Sequence, residues 1–531
     1  MNIKNTAVNK NSFLIFSLVF LFFIMERPSI INGLIRIYGM NFGFILKITY
    51  IFAILLISSI GFFAIYYAAN IKSKYKWIFF ILILFPTLIT DVFGMIFTQP
   101  MFYGDYLGIK LAIANINDAL SEYGKLLLYP LIRGIFLFLA FRLSTTFINN
   151  SGIKSIVLIA CYMIIFTSIC VFKKGGYTGK IPSLFSVYSF EIASLFDKKK
   201  YDYNYKGALF NPNGNKKDNI VLIVDESIRS DFINGKEPSA GLNVKTNKNW
   251  NVYDFGIATS GSNCSATSNI ILRKGPKPDN LDVTIYQNPL IWDYAKKSGY
   301  KTTLIDAQNN GKNHDYFDTE EREMIDNNVN TTEYKSDTDI AIALKGLLKN
   351  TGNFIMVIKR GAHFPYAKSY PDSFKPEFKW DYINKNPTRI EYARAISYQT
   401  GGFFEELLKE SVTPSTLMIY TSDHGQNLKD APGGTHCTAT GEPYPGEGIV
   451  PLLLIANETS DLISSSSKKN YNNTSHFNIF STLLYYFGYE NNDYLKHYEP
   501  ALIEPINKYG YFSYGSPFGY FNSKPLFKKV D

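Results

Sequence analysis

NIVLIVDESIRSD, residues 219–231, sets a short apolar run against an abrupt acidic end. Residues 219–224 are rich in β-branched side chains, the pattern of a parallel strand buried on both faces, and the run stops at Asp225-Glu226. Carboxylates at the C-terminal edge of such a strand lie where open α/β sheets hold their ligands. Their acceptor-only oxygens suit a divalent cation, and Arg229 and Asp231 follow at once. An acidic residue at a strand-to-helix turn also serves as an N-cap, so the stretch needs matching groups elsewhere.

The first match is LMIYTSDHGQN, residues 417–427, where another buried-strand run ends in Ser422-Asp423-His424-Gly425. An Asp-His pair offers one hard oxygen and one borderline nitrogen, a set that suits zinc or manganese; a surface turn before Gly425 is the plain alternative. His363, in KRGAHFPY, follows the run 354–358 and so falls at the same sheet edge. His436 lies in a Gly-rich loop thirteen positions after Asp423, while His314 and His476 have weaker contexts. One histidine alone reads as a surface or structural imidazole, whereas three at one edge read as a site. The loop IATSGSNCSATSNIILR, residues 257–273, turns into a helical pattern from about residue 269. A hydroxyl there, at a helix N-terminus beside a cation, would make a nucleophile; Ser and Thr in that place also cap helices.

The chain of 531 residues is too long for one typical domain, and its 42 Phe and 38 Tyr are unevenly placed, which points to a membrane part. Apolar runs at 46–69, 77–98, 126–143 and 156–172 are each near the ~20 residues that cross a bilayer, and a shorter run at 12–25 precedes them. The expectation is five transmembrane helices over residues 1–175. With the N-terminus inside, Lys72, Lys74 and Lys76 share an inner loop and everything after residue 175 is external; Lys173 and Lys174 oppose that sense. The net charge of +9 comes from scattered Lys and from pairs and runs flanking apolar segments, which fits contact with anionic lipid. No helix-turn-helix, ribonucleoprotein motif or zinc knuckle is present, which argues against a nucleic-acid partner.

Residues 176–218 read as an amphipathic connector followed by a polar linker. From 219 to 531, strand-like runs (220–224, 301–305, 354–358, 416–420, 450–455) alternate with helical patterns (290–297, 339–349, 387–409, 477–487). That alternation predicts an α/β domain with a mostly parallel sheet and helices on both faces.

A strand ending in Glu226, a Cys-containing Ser/Thr loop, the Gly-Ala-His-Phe-Pro element, Ser-Asp-His-Gly and a further His thirteen residues on resemble the phosphoethanolamine transferases. These are membrane enzymes of the alkaline phosphatase and sulfatase superfamily. The resemblance implies five transmembrane helices and an external alkaline-phosphatase-like domain, in a multi-pass inner-membrane protein with its catalytic domain in the periplasm. It implies that Glu226, Asp423 and His424 bind zinc (or manganese), with Thr267 as the metal-bound nucleophile. His363 and His436 become phosphate or second-metal ligands. The implied reaction is ping-pong: phosphatidylethanolamine donates phosphoethanolamine to the enzyme, diacylglycerol leaves, and an envelope acceptor (lipid A, lipopolysaccharide core, glycan or protein) attacks the same phosphorus.

The chain departs from that pattern in four places, one of them Gln426-Asn427 after Asp-His-Gly, where the family has acidic and Asn residues. The strand ends Asp225-Glu226 where lipid A modifying members have Gly-Glu, so Asp225 is an extra acid near the metal or a cap. The family loop Cys-Gly-Thr-x-Thr is here Cys264-Ser265-Ala266-Thr267-Ser268, which shifts the threonine register and leaves Ser265 and Ser268 open as nucleophiles. Family members carry several external disulfides, whereas Cys161 and Cys170 fall in the fifth apolar run and only Cys264 and Cys437 remain outside, each beside a site residue and open to pairing. Asp306 and His314, after another strand end, are placed on the acceptor side. A glycerol phosphate transferase of the lipoteichoic acid synthase kind and a non-catalytic membrane-anchored binding domain are the alternatives; no Cys-x-Pro-x-Arg motif supports a formylglycine sulfatase.

Overall fold

The computed structural model describes residues 3–26, 43–111, 113, 116–143, 150–175, 181–197, 207–233, 249–308, 317–378, 380–381, 383–439, 441–507, 509–515, 521 and 524–530. His314, the Asn-rich stretch 309–313 and the Lys run 198–200 lie outside the described residues. The chain divides into two compact units, one of Met1–Lys200 with Gly519–Ser523, the other of Tyr201–Phe518 with Lys524–Asp531.

The first unit is helical: α1 (Ile3–Ile24), α2 (Phe44–Ala69), α3 (Lys76–Phe97), α4 (Leu128–Leu143) and α5 (Ser151–Phe172). α2, α3, α5 and the span Ala119–Leu143 that ends in α4 are long and apolar enough to cross a bilayer, while the apolar part of α1, Ser12–Ile24, is shorter. Large side chains such as Phe44, Ile45 and Phe52 are exposed on α2, as a lipid-facing surface requires. Arg133 on α4 is buried and joins three elements: its Nη1 donates to Asp91 on α3 at 2.7 Å, its Nη2 lies 3.4 Å from Glu26, and its Nε donates to the Phe22 carbonyl on α1 at 2.7 Å. Charges buried among apolar helices persist only when paired in this way. The expected connector is in part a piece of this unit. The helix Ser186–Ser194 buries Phe190 against Phe166 of α5, with ring centroids 5.3 Å apart.

In the second unit, among the described residues, seven strands form one sheet in the order β2-β7-β6-β1-β5-β3-β4. They are β1 (Asn219–Asp225), β2 (Asn251–Thr259), β3 (Lys301–Asp306), β4 (Asn327–Val329), β5 (Asn353–Ile358), β6 (Thr416–Ser422) and β7 (Ile449–Ala456). β1 is central and parallel to both neighbours, with Val224 opposite Ile358 and Asp225 opposite Ser422. The strand ends bearing Glu226, Asp423 and Lys359 therefore meet at one edge. Ile220, Leu222 and Val224 pack into one helical layer with Trp292 and Phe480, and Val221 and Ile223 into the other with Ile340, Leu344 and Phe403. Burial on both faces is why β1 carries no polar alternation. β7 runs antiparallel to β6: the long loop between them, residues 423–448, holds among its described residues only the short helical turn Pro445–Gly448 and no crossover helix. β2, absent from the sequence reading, pairs with β7 and carries a register shift between Asp254 and Ile257.

Candidate active site

Three elements converge at the C-terminal edge of β1 and β6. Glu226, Asp423 and His424 are buried, and each offers one ligand atom such that the three lie within 4.8 Å of one another. His424 Nε2 is 3.7 Å from Glu226 Oε1 and 3.5 Å from Asp423 Oδ2. Nδ1 of His424 sits 2.8 Å from the Gly425 carbonyl, which only accepts, so Nδ1 carries the proton and the Nε2 lone pair faces the carboxylates. Burial first, then the charge of Asp423, raises the Glu226 pKa well above the usual carboxylate range. Asp423 Oδ1 accepts from the Ser227 amide at 2.9 Å, but among the described residues no donor reaches its buried Oδ2. Two facing carboxylates, an aimed imidazole lone pair and an orphaned buried oxygen fit a divalent cation.

The backbone is shaped to hold these groups. Ser227, with φ of 64°, is in the left-handed region. It is fixed there by its amide bond to Asp423, its hydroxyl bond to Glu226 Oε1 at 2.6 Å and the Tyr392 hydroxyl on its carbonyl at 2.6 Å. Gly425 admits no side chain: a Cβ would lie 2.1 Å from the Gly446 carbonyl oxygen. Buried Arg229 ties the two ligand loops together, donating in a fork to Asp231 at 2.7 Å and through Nη1 to the Gln426 carbonyl at 3.1 Å and Asp430 at 2.6 Å.

The Ser/Thr loop enters the site as the first turn of α6 (Ser265–Lys274). Its N-cap is Cys264, which makes no side-chain cap bond, so the loop hydroxyls do not act as Ncap side chains. Cys264 is bonded to Cys437, closing the disulfide left open by the sequence, with Cα atoms 4.6 Å apart. The disulfide places His436 against the triad: its ring stacks on His424 with centroids 4.4 Å apart. Desolvation, then the neighbouring His424 and His363, hold the His436 pKa well below the usual imidazole value, so this ring is neutral at pH 7.

A family model described as Sulfatase matches residues 218–489, just over half of the 531-residue chain. The chain belongs to the sulfatase family. Among solved structures, the membrane-embedded lipooligosaccharide phosphoethanolamine transferase A (EptA) of Neisseria meningitidis is similar in fold, at TM-score 0.58 and 14% identity, covering 89% of this chain and 95% of that one. The zinc complex of the C-terminal periplasmic domain of EptC from Escherichia coli aligns at TM-score 0.46 and 17% identity, over 61% of this chain and 97% of that domain. The corresponding Campylobacter jejuni EptC domain aligns at TM-score 0.42 and 21% identity, over 55% and 95%. No curated protein matches by sequence.

Within this sulfatase-family domain several expected residues take other places. Asp225 is neither a cap nor a group facing the cation site: its Oδ2 meets Lys359 Nζ at 2.5 Å and accepts from Thr400 at 2.8 Å and Tyr420 at 2.9 Å, behind the triad. Asp306 is paired with Arg322 at 2.6 Å and accepts from the Gln308 amide, rather than joining the cluster. Ser268 donates to the Asp423 carbonyl at 2.5 Å and so supports the loop. Thr267 is buried on the first turn of α6, while the loop hydroxyl bonded to the triad imidazole is that of Ser265, 3.0 Å from His424 Nε2. Ser227, not picked out from the sequence, and Gln308, which the sequence places with Asp306 after a strand end on the acceptor side, hold the two oxygens of Glu226, Gln308 from 2.6 Å. Their only sequence signal is position, one residue after the ligand and two after a strand end. His476 is structural: its Nδ1 accepts from the Gly261 amide at 3.0 Å, and burial lowers its pKa to about 4.

Proposed function

We propose that this protein transfers phosphoethanolamine from phosphatidylethanolamine to an acceptor in the cell envelope, with zinc held by Glu226, Asp423 and His424, through an enzyme ester on a hydroxyl of the first turn of α6. The observation that carries the reading is the buried O,O,N triad with its orphaned Asp423 oxygen, set beside a hydroxyl at a helix N-terminus. The similarity in fold to a membrane phosphoethanolamine transferase over 89% of the chain supports it, as do the apolar helices that would hold the domain at its lipid donor. In that reading the protein is an inner-membrane enzyme whose catalytic domain faces the periplasm.

Zinc, when bound, supplies positive charge to the attacking oxygen and the phosphoryl oxygens. The chain's own groups do the positioning. Glu226 is held by Ser227 and Gln308, Asp423 by the Ser227 amide, and His424 by the Gly425 carbonyl, so the triad is set before substrate arrives. The first amides of α6 have no intrahelical partner and favour a phosphate oxygen. Neutral His436 and its neighbour His363 are suited to hydrogen-bond the phosphoryl group, and a neutral imidazole there can take the proton from an entering hydroxyl.

The full-length protein in detergent, loaded with zinc and mixed with phosphatidylethanolamine, should gain the mass of one phosphoethanolamine and release diacylglycerol. Gain of glycerol phosphate from phosphatidylglycerol instead would assign the lipoteichoic acid synthase type of reaction. No adduct and no product from either lipid by the zinc-loaded protein would refute the transferase reading.

A further inference from the structure

We infer that Ser265, and not Thr267, is the hydroxyl that takes the phosphoryl group, an inference that rests on the transferase reading above. The first support is contact: Ser265 Oγ lies 3.0 Å from His424 Nε2, the ring nitrogen whose lone pair faces Glu226 and Asp423. Because Nδ1 already donates to the Gly425 carbonyl, the hydrogen in the Ser265–His424 bond is the serine's own. Were Glu226, Asp423 and His424 to hold a cation, Nε2 would no longer accept from Ser265, whose hydroxyl would be released beside the site, and the cation would supply the positive charge that activates a nucleophile.

The second support is helix geometry. Ser265, Ala266 and Thr267 are the first three residues of α6, and successive side chains turn by about 100°. With Ser265 pointed at His424, Thr267 is rotated about 200° away, to the far side of the turn. Ser268 returns to within about 60° of Ser265, and it does reach the same loop, donating to the Asp423 carbonyl at 2.5 Å. That bond and a 3.3 Å approach to His476 occupy Ser268. The third support is the brace: the neighbouring Cys264 is tied to Cys437, whose chain neighbour His436 stacks on His424, so the serine is held on both sides of the imidazole.

The step balances without another reactant. Ser265 Oγ bonds to phosphorus, the bond from phosphorus to the glycerol oxygen breaks, and that oxygen keeps the electron pair and takes the proton lost by Ser265, leaving as diacylglycerol. In the second half the acceptor hydroxyl oxygen bonds to phosphorus, the Ser265 ester bond breaks, and the acceptor's proton returns to Ser265.

The test uses full-length wild type, Ser265→Ala, Ser265→Thr and Thr267→Val in detergent, each checked for a wild-type thermal transition. After incubation with phosphatidylethanolamine, peptide mapping should place the phosphoethanolamine on Ser265. The adduct should vanish in Ser265→Ala, return in Ser265→Thr and persist in Thr267→Val. Zinc affinity of the metal-free proteins, by competition with a chromophoric chelator, should fall severalfold in Ser265→Ala and stay unchanged in Thr267→Val. An adduct mapped to Thr267 or Ser268, or one that survives Ser265→Ala, overturns the inference and leaves the transferase reading standing. If wild type forms no adduct, the donor reading fails, and zinc competition still decides: weakening by Thr267→Val but not Ser265→Ala overturns the assignment of Ser265.

Discussion

Replacing Lys359 with Met should damage both the stability of the second unit and its cation site. Lys359 is fully buried at the end of β5, with Nζ 2.5 Å from Asp225 and 3.3 Å from Asp337, both also fully buried. Met matches its length and removes the charge, which leaves two carboxylates in the interior without a cation. Breaking a buried pair by removing one partner costs about 3–5 kcal/mol. At about 2–3 °C per kcal/mol for a domain of this size, the thermal transition should drop by roughly 6–15 °C. The site should suffer because Asp225 Oδ1 accepts from the Glu226 amide at 3.0 Å, so a displaced Asp225 moves a cation ligand. Loss of such outer support typically weakens metal binding about 10–100-fold. Differential scanning fluorimetry and zinc competition on the full-length protein would read both effects. Asp225→Asn placed on Lys359→Met should recover part of the lost stability, since it removes one of the stranded charges. A transition within about 2 °C of wild type together with wild-type zinc affinity would refute the view that this buried network holds the site.

Other consequences can be tested in the same preparations. Glu226→Gln should abolish the zinc-dependent rise in melting temperature yet leave the metal-free protein as stable as wild type or more so, because it removes one of two facing buried carboxylates; a less stable metal-free variant would contradict this. Reduction of Cys264–Cys437, which spans 173 residues, should destabilise the second unit by up to about 5 kcal/mol on loop-closure grounds and lower phosphoryl transfer; thiol counting that finds both free in the native protein would refute the bond. Lys274 is buried, its Nζ donating to the Tyr286 carbonyl, and burial lowers its pKa to about 8. A depressed lysine means the folded state binds fewer protons than the unfolded one, so stability rises with pH between about 8 and 10.5. Lys274→Met should therefore raise the melting temperature at pH 7 and gain less at pH 10, as thermal scans at the two pH values would show.

Much of the fold is written in local patterns. The five strand runs read from the sequence are β1, β3, β5, β6 and β7, because strands buried on both faces draw on apolar and β-branched residues whatever their neighbours. The apolar helices were legible for the same reason, since bilayer thickness sets their length. β2 and β4 were not, because edge strands are half-exposed and mixed in composition, and the partners that make them strands lie far away in the chain. The antiparallel sense of β7 was hidden too, as it depends on how a long loop returns and not on the strand's own residues.

The site divides along the same line. Glu226, Asp423 and His424, the candidate cation ligands, could be named from sequence, because a polar group at the end of a buried strand is marked by an abrupt change of residue type. Which carboxylate of Asp225-Glu226 joins the candidate cation site depends on a buried lysine at the end of β5, 134 positions away, and only the folded sheet brings it there. Which hydroxyl of Cys264-Ser-Ala-Thr-Ser faces His424 depends on where the helix begins. A helix that starts at Ser265 instead of near residue 269 turns that serine toward the imidazole and Thr267 away. Composition fixes which groups a site can draw on, while rotation about a helix axis and the register of strands decide which of them meet.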